Sequence, residues 1–363
     1  MLNERRDREA QLEASRLRCT ELLKETFAQR KELIGIWKMK TTPATCPEKR
    51  QAGDKNLDAM KITVLAGGPG LEREVSLNSG QAVFDALRRL RHSVVLRDIA
   101  PDDLSALDPP ADFVFIALHG EFGEDGALQS ELDSRGLRYC GSGAAASRVA
   151  MNKVESKRVF DRAGVPTPPY RVLDRANLEA AVERIELPVV VKPVASGSSV
   201  DTSIVRSREA LASAAALVVD RYGEALVERY IEGYEFTVGI LGEEALPVCE
   251  IRTKREFYDY QAKYIDDDTK YLFDLDVSAE LLTRVQRTSL AAHRALGCKV
   301  FSRVDCMVDR ETMEPFILEV NTIPGFTSHS LLPKAAARVG LSFDQLCRRI
   351  IELSWEEFEK RDS

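Results

Sequence analysis

The feature of this sequence that most constrains its fold is a strand near the C-terminal end that carries two oxygen-bearing side chains. Glu319 and Asn321 stand two residues apart in an otherwise apolar run, so both side chains leave the same face of the strand. Pro324 and Gly325 then break the strand. Such ligands suit Mg²⁺, which usually shares its oxygen ligands with substrate phosphates. A lone Glu-x-Asn is more often a solvated strand face, so the prediction needs a further ligand.

That ligand comes from a second apolar strand, residues 300–308, which precedes the first. The connection from Asp309 to Glu314 is short and polar, which predicts a β-hairpin. Pairing of the two strands places Asp305 beside Glu319 and Asn321. The sequence therefore predicts a cation site built from three oxygen ligands.

Composition excludes several classes of function. The chain has 363 residues, of which 44% are hydrophobic, and this allows roughly two to three domains with cores of their own. A net charge of −7 gives no general attraction to nucleic acid or to an anionic membrane. No run approaches the ~18 apolar residues of a membrane span. The seven scattered cysteines form no C-x-x-C pair, which predicts reduced thiols in a cytoplasmic protein.

The first half of the ordered chain predicts an α/β unit with a ligand cleft. A strand at 61–66, a glycine turn and a helix at about 77–90 aim backbone N–H groups at a ligand, and Glu72 stands at this turn. The glycines are in G-G-x-G order, which is a weak dinucleotide fingerprint. The apolar strand 113–118 ends at His119. Because ligands bind beyond the carboxyl ends of parallel strands, we expect Glu72 and His119 to face one cleft. A short strand at about 139–143 is predicted to close this domain.

The middle of the chain carries candidates for nucleotide binding. Lys192 ends an apolar strand and precedes a small hydroxyl-rich loop, 194–200, whose N–H and hydroxyl groups suit phosphates. The chain contains no G-x-x-x-x-G-K-[ST], which excludes a P-loop enzyme. A strand at 225–231 is followed by one at 233–240 with a polar face and a buried face. Adenine and ribose could use the following groups: the carboxylates of Glu228 and Glu235 and the backbones of Arg229, Tyr230 and Ile231.

Two further segments complete the pattern. The polar, aromatic-rich stretch 256–273 predicts a lid loop, with Lys263 and Tyr264 reaching the site. Residues 1–58 are rich in helix formers and end in a polar linker, which predicts a charged helical extension without chemistry. This extension could instead dock a partner or a second subunit.

From about residue 60 to 358 the chain resembles the D-alanine–D-alanine ligases of the ATP-grasp superfamily. The motifs that carry the resemblance stand in the family's order: Glu72-Arg73-Glu74-Val75-Ser76, the run His119 to Gly126, Val191-Lys192-Pro193, Gly197-Ser198-Ser199-Val200, Phe257-Tyr258-Asp259-Tyr260, Ala262-Lys263-Tyr264, Arg303-Val304-Asp305, and Glu319 to Leu331. The resemblance implies an α/β protein with an ATP-grasp fold, an N-terminal Rossmann-like (pre-ATP-grasp) domain and an α+β C-terminal part. The expected divisions are an extension (1–58), an N-terminal α/β substrate domain (59–141), a central ATP-grasp subdomain (142–227) and a C-terminal ATP-grasp subdomain with the metal site and lid (228–358).

The resemblance also implies the roles of individual residues. For the nucleotide and metal these are Lys153 and Lys192 at phosphates, Lys263 at the γ-phosphate, Glu228 and Glu235 at adenosine, and Asp305, Glu319 and Asn321 at two Mg²⁺ ions, with Mn²⁺ as an alternative. For the substrates they are Glu72 at the amine of the first D-alanine with Ser198 and Tyr264 in the same network, Arg303 and the Gly325 N–H at the reacting carboxylate, Ser330 and Leu331 at the second D-alanine's carboxylate, and His119 beside the substrates.

The expected reaction is ATP-dependent ligation of two D-alanine molecules for peptidoglycan precursor synthesis, and the family implies a homodimer. Carboxylate activation as an acyl phosphate needs positioning and charge neutralisation, which lysines and metal ions supply.

Two other hypotheses stay open: a different ATP-grasp carboxylate–amine ligase, and a catalytically silent ATP-binding regulatory subunit. Three positions depart from the family pattern, namely Ser196, Asp201 and Ser302. Asp201 matters most, because it adds negative charge near the phosphate loop.

Overall fold

The structure of the protein, a computed structural model, describes residues 59–70, 72–195, 197, 200–253, 269–327 and 329–362. The extension 1–58 and the site candidates Ser198, Lys263 and Tyr264 lie outside these residues. The strands are β1 (Lys61–Ala66), β2 (Ser93–Asp98), β3 (Phe113–Ile116), β4 (Tyr170–Asp174), β5 (Val189–Pro193), β6 (Ser203–Val205), β7 (Glu224–Arg229), β8 (Gly233–Leu241), β9 (Glu244–Ala245), β10 (Cys249–Arg252), β11 (Lys270–Leu272), β12 (Phe301–Asp309) and β13 (Pro315–Asn321). The helices are α1 (Arg73–Arg89), α2 (Ala127–Ser134), α3 (Ala144–Met151), α4 (Lys153–Ala163), α5 (Leu178–Val182), α6 (Arg208–Tyr222), α7 (Ala279–Ala295), α8 (Leu331–Arg338) and α9 (Phe343–Asp362).

The first sheet is parallel and has the strand order β2-β1-β3, with α1 packed against it. The four residues of β3 are fully buried, as its apolar sequence predicts. Helix α1 starts at Arg73, four residues earlier than predicted, so Glu72 lies at its N-cap position. The predicted strand at 139–143 is wrong, because Tyr139 forms only an isolated bridge with Val114 before Gly141, with φ of +92°, turns the chain.

A second sheet, which we call the central sheet, is antiparallel and has the order β4-β7-β5-β6. Val189 and Val191 of β5 pack with Leu211 and Val218 of α6 in a core that belongs to this sheet alone. Burial of these apolar side chains holds α6 on one face of the sheet. The opposite face of the sheet is left to line a cavity.

The third and largest sheet is also antiparallel, with the order β11-β10-β8-β12-β13 and β9 paired to β8. Helix α7 covers it through a core that includes Val285, Phe236 and Ile317. The prediction of a polar face on residues 233–240 is only partly right. Thr237 is 2% exposed, and its buried hydroxyl is satisfied by donating to Asp305 Oδ1 across the sheet at 2.6 Å.

The first and third sheets share one hydrophobic core, which includes the loop that follows β13. Phe326 of that loop is fully buried, and its ring contacts Phe115 of β3 and Phe301 of β12 edge-on, with centroids 5.5 and 5.3 Å apart. Such edge-to-face contacts between aromatic rings are favourable beyond the area they bury. The loop is therefore fixed to both sheets. Within the described residues, no helix is long and apolar enough to cross a membrane.

Candidate active site

The hairpin of β12 and β13 brings the three predicted cation ligands together. Asp305 pairs directly with Glu319 across the hairpin, and the register then shifts between Asp305 and Cys306. Asn321 Nδ2 donates to Asp305 Oδ2 at 3.1 Å. We call Asp305, Glu319 and Asn321 the acidic cluster.

Basic side chains neutralise both carboxylates of the acidic cluster. Arg303 binds Asp305 as a fork, with Nε–Oδ1 at 2.9 Å and Nη2–Oδ2 at 2.8 Å. Lys153 Nζ lies 3.4 Å from Glu319 Oε2. Two carboxylates and an amide oxygen fit Mg²⁺ when phosphate oxygens and water supply the remaining ligands. Among the residues that the structure describes, no group of three or more His, Cys, Asp or Glu side chains is arranged to hold a metal ion.

A cavity of about 570 Å³ separates the central sheet from the third sheet. This volume is within the range of small-molecule and cofactor sites. Its lining includes every described residue that was predicted for the nucleotide or as a metal carboxylate: Lys153, Lys192, Glu228, Arg229, Tyr230, Ile231, Glu235, Asp305 and Glu319. The structure thus joins the predicted phosphate, adenosine and metal groups in one cleft.

Glu228 lies between two lysines at one end of this cleft. Its Oε2 is 2.7 Å from Lys192 Nζ, and its Oε1 is 2.7 Å from Lys157 Nζ. Burial would raise the pKa of the Glu228 carboxyl, but the charges of Lys157 and Lys192 outweigh burial and lower it, so the group is ionised. The sequence reasoning missed Lys157. Its spacing of four residues from Lys153, on the same side of α4, is the signal that was available.

Helix α4 ties the position of Lys153 to the segment that follows β5. The Asn152 side chain caps the helix by accepting the Glu155 N–H at 3.0 Å. The Lys153 N–H donates to the Val194 carbonyl at 3.0 Å. Lys153 and the start of the predicted phosphate loop are therefore held beside each other.

Outside the lining of this cleft, the Glu72 carboxylate lies against two glycines. A Cβ atom on Gly120 would fall 2.6 Å from Glu72 Oε2, and one on Gly197 would fall 3.4 Å from the same oxygen. The loop after β3 and the predicted phosphate loop thus meet at Glu72. Ser198, the predicted partner of Glu72, follows Gly197 and lies outside the described residues.

Glu124 adds a second carboxyl group here, and the sequence reasoning did not select it. The Gly120 N–H donates to Glu124 Oε2 at 3.0 Å. Burial and the nearby charge of Glu72 raise the pKa of Glu124 to about 8. Near neutral pH Glu124 is therefore largely protonated, so an ammonium group at this loop would be drawn to the Glu72 carboxylate and would favour ionisation of Glu124.

His119 uses both ring nitrogens to hold the loop after β13. Nδ1 lies 2.9 Å from the Ile323 carbonyl, which can only accept, so Nδ1 carries the proton and Nε2 accepts from the Ser79 hydroxyl at 2.9 Å. Ser79 Oγ in turn accepts the Phe326 N–H at 3.2 Å. Burial lowers the pKa of His119 and favours this neutral form.

Gly325 and Ser330 lie beside each other at the N-terminus of α8. A Cβ atom on Gly325 would fall 2.7 Å from Ser330 Oγ, and the Thr327 N–H donates to that oxygen at 3.0 Å. Ser330 is the N-cap residue, and Leu331 begins the helix. The free N–H groups and the dipole of a helix N-terminus favour a carboxylate at this position.

Two of the three departures from the family pattern have partners in the structure. The Asp201 carboxylate accepts from Arg221 and from the Tyr222 hydroxyl, the latter at 2.6 Å, so its charge is neutralised at the end of α6. Ser302 Oγ lies 2.7 Å from His293 Nδ1 in a buried pair. Ser196 lies outside the described residues.

Comparison with known proteins connects this geometry to one family. Residues 159–352 match the model of the family described as D-ala D-ala ligase C-terminus. The D-alanine–D-alanine ligase of Nitrosomonas europaea is 43% identical over 301 residues, covering 82% of this chain and 98% of that protein. The crystal structure of the D-alanine–D-alanine ligase from Bacillus anthracis has 37% identity and a TM-score of 0.76, covering 84% of this chain and 100% of that one. The same enzyme complexed with ATP has 34% identity and a TM-score of 0.72, with the same coverage. These structures confirm the predicted α/β ATP-grasp fold.

Proposed function

Because this chain belongs to the D-alanine–D-alanine ligase family, we propose that it joins two D-alanine molecules at the cost of one ATP, in the cleft described above. It is an ATP-dependent ligase, and the regulatory-subunit hypothesis is wrong. The observation that carries the assignment to this cleft is the contact between Lys153 and Glu319. Through that contact, a lysine of the cavity lining meets the acidic cluster.

The nucleotide occupies the cavity between the two antiparallel sheets in this proposal. Glu228, Glu235 and the backbone of 229–231 bind adenosine, and Lys153 and Lys192 bind phosphates. The acidic cluster would hold Mg²⁺, or Mn²⁺ in its place, and such a metal would supply positive charge to offset the negative charge of the phosphates. Lys263 is assigned to the γ-phosphate by the resemblance alone.

The first D-alanine binds with its ammonium group at Glu72. Its carboxylate oxygen attacks the γ-phosphorus, the bond from that phosphorus to the bridging oxygen of ADP breaks, and an acyl phosphate forms. In this proposal Arg303, which also binds Asp305, and the Gly325 N–H orient this carboxylate. Positioning and charge neutralisation are the main contributions that a protein makes to such a transfer.

The second D-alanine binds with its carboxylate at Ser330 and the N-terminus of α8. Its ammonium group first loses one proton to water, and the free amine attacks the acyl carbon. The C–O bond to phosphate then breaks, the nitrogen gives a second proton to the departing phosphate, and the dipeptide and free phosphate result. Arg303 and the Gly325 N–H stabilise the oxyanion of the tetrahedral intermediate. His119 contributes by holding the 323–326 segment, since its Nδ1 donates to the Ile323 carbonyl and its Nε2 accepts from Ser79, whose Oγ accepts the Phe326 N–H.

The remaining parts of the proposal depend on family resemblance and on chemistry. Ser198 and Tyr264 complete the hydrogen-bonded network at Glu72, and the lid that carries Tyr264 excludes water from the acyl phosphate. We propose a cytoplasmic homodimer that supplies dipeptide for peptidoglycan precursors. Among the described residues, five buried cysteines are free of disulfides, which supports a reducing compartment.

The test measures phosphate release from Mg-ATP with and without D-alanine, with the dipeptide identified by mass spectrometry. D-alanine-dependent phosphate release and D-alanyl-D-alanine are expected. Glu319→Gln should abolish both, whereas Glu314→Gln in the turn of the same hairpin, where the side chain is half exposed and pairs with Arg284, should not. Phosphate release without a dipeptide, or equal effects of the two substitutions, would overturn the proposal.

A further inference from the structure

Lys157 is fully buried behind the cleft, against Glu228, and the reaction described above gives it no role. It is 0% exposed, on the helix that presents Lys153. Its Nζ lies 2.7 Å from Glu228 Oε1, donates to Thr167 Oγ1, and faces the Tyr170 ring 5.4 Å from its centroid. Burial lowers the pKa of Lys157, and the Glu228 carboxylate opposes that effect. Burial of a charged lysine costs folding free energy, so its presence here indicates a specific role.

The arrangement around Glu228 identifies what this role could be. The carboxylate has two lysine partners at the same distance, but only Lys192 lines the cavity. In the proposed function, Lys192 must bind a phosphate and therefore turn from Glu228. A buried carboxylate that loses its counter-charge is strongly destabilised. The second lysine prevents that loss, because Lys157 stays on Oε1 when Lys192 leaves Oε2.

We propose that Lys157 is a positioning residue for nucleotide binding: it keeps the buried Glu228 compensated so that Lys192 can exchange that carboxylate for a phosphate. The inference rests on the proposed function, because it takes the cleft to be the ATP site. Lys157 touches neither the substrate nor the reacting atoms. It acts through Glu228 and Lys192.

A second contact of Lys157 extends its effect toward the acidic cluster. Thr167 Oγ1, which accepts from Lys157, donates to the Ile317 carbonyl at 2.8 Å. Ile317 belongs to β13, two residues before Glu319. Two side chains in sequence, Lys157 and Thr167, thus connect Glu228 with the strand that carries the proposed metal ligands.

The experiment compares ATP and adenosine binding to Lys157→Met and to wild type, by displacement of a fluorescent ATP analogue. Adenosine has no phosphate, so Lys192 stays on Glu228 and Lys157 is not needed for its binding. The dissociation constant for ATP should rise on the order of 10²- to 10³-fold, as expected for loss of the counter-charge of a buried carboxylate, while that for adenosine should change little. Lys299→Met is the matched control, since Lys299 pairs with Glu357 at 3.2 Å outside the cleft and is half exposed.

A double variant separates charge compensation from a merely structural role. In the Glu228→Gln background there is no carboxylate to compensate, so Lys157→Met should have little further effect on ATP affinity. Equal losses of ATP and adenosine affinity, or the same loss in both backgrounds, would overturn the inference. If Lys157→Met does not fold, Lys157→Gln takes its place, because glutamine keeps a hydrogen-bond donor without the charge. The ratio of its ATP and adenosine dissociation constants is then compared with that of wild type. Failure of wild type to bind ATP would instead refute the proposed function.

Discussion

Replacement of Gly120 by alanine is expected to weaken binding of the first D-alanine while nucleotide binding stays unchanged. The added Cβ would lie 2.6 Å from Glu72 Oε2, whereas ordinary contact begins at 3.4 Å, so the oxygen must retreat by about 0.8 Å (3.4 − 2.6). This displacement disturbs the proposed contact between Glu72 and the substrate ammonium. A hydrogen bond to a charged group contributes about 1.5–3 kcal/mol, so its loss would lower affinity by at most about 10- to 150-fold.

Gly136→Ala is the control that isolates this effect. Gly120 has φ of +75° and Gly136 has φ of +65°, so alanine is strained by a similar amount at both positions, by roughly 1–2 kcal/mol. A Cβ atom on Gly136 would have no neighbour within 4 Å. Both variants should therefore lose similar thermal stability, but only Gly120→Ala should disturb Glu72.

The assay is phosphate release at saturating ATP with D-alanine varied, together with ATP affinity measured without D-alanine. Gly120→Ala should lower kcat/KM for the first D-alanine, and Glu72→Gln should lower it further. Gly136→Ala should match wild type. If the two glycine variants have equal kcat/KM, the Glu72 carboxylate does not anchor the substrate amine.

Three more changes give predictions of different kinds. Arg303→Ala should lower kcat by about 10²–10³, the cost of one oxyanion donor, while ATP still binds; retained dipeptide synthesis in a kinetic assay would refute this. Asp201→Gly should leave KM for ATP unchanged, because Arg221 already neutralises that carboxylate, and markedly tighter ATP binding would contradict the reasoning. Burial lowers the pKa of His293 to about 4 from 6.5, so the unfolded chain binds this proton more readily and stability falls as the pH drops from 6.5 toward 4. In the His293→Gln variant, the loss of unfolding free energy at pH 4 should be smaller by about 3 kcal/mol. Urea unfolding above pH 6.5 and near pH 4 measures this difference, and an identical acid dependence of stability in both proteins would count against the reasoning.

Local patterns in the sequence were sufficient to predict the acidic hairpin. Alternation with a period of two fixes which side chains share a face, and the short polar turn fixes which strands pair. Asp305 and Glu319 therefore meet as expected. The sequence predicts a start of α1 that is four residues too late, because the Pro-Gly turn before the helix indicates a longer loop than the chain forms. As a result, the sequence did not show that Glu72 is an N-cap residue.

Contacts between distant segments were beyond the reach of pattern analysis. Lys157 looks like a solvated lysine on an amphipathic helix, and only the approach of β7 shows that Glu228 covers it. The tertiary contacts of Asp201 and Ser302 likewise depend on Arg221 and His293, which follow no local rule. Chemistry could be assigned to residues one by one, but the charge balance among them required the fold.

Phe326 has a consequence for exchanging parts between homologues. Its ring packs between Phe115 of β3 and Phe301 of β12, so β3 helps to hold the backbone that follows Gly325 in place. In a chimaera that takes residues 59–140 from another species, the residue that replaces Phe115 must still pack against the Phe326 ring, even where every residue proposed to contact substrate is kept. The central sheet, whose core is its own, should tolerate such recombination better.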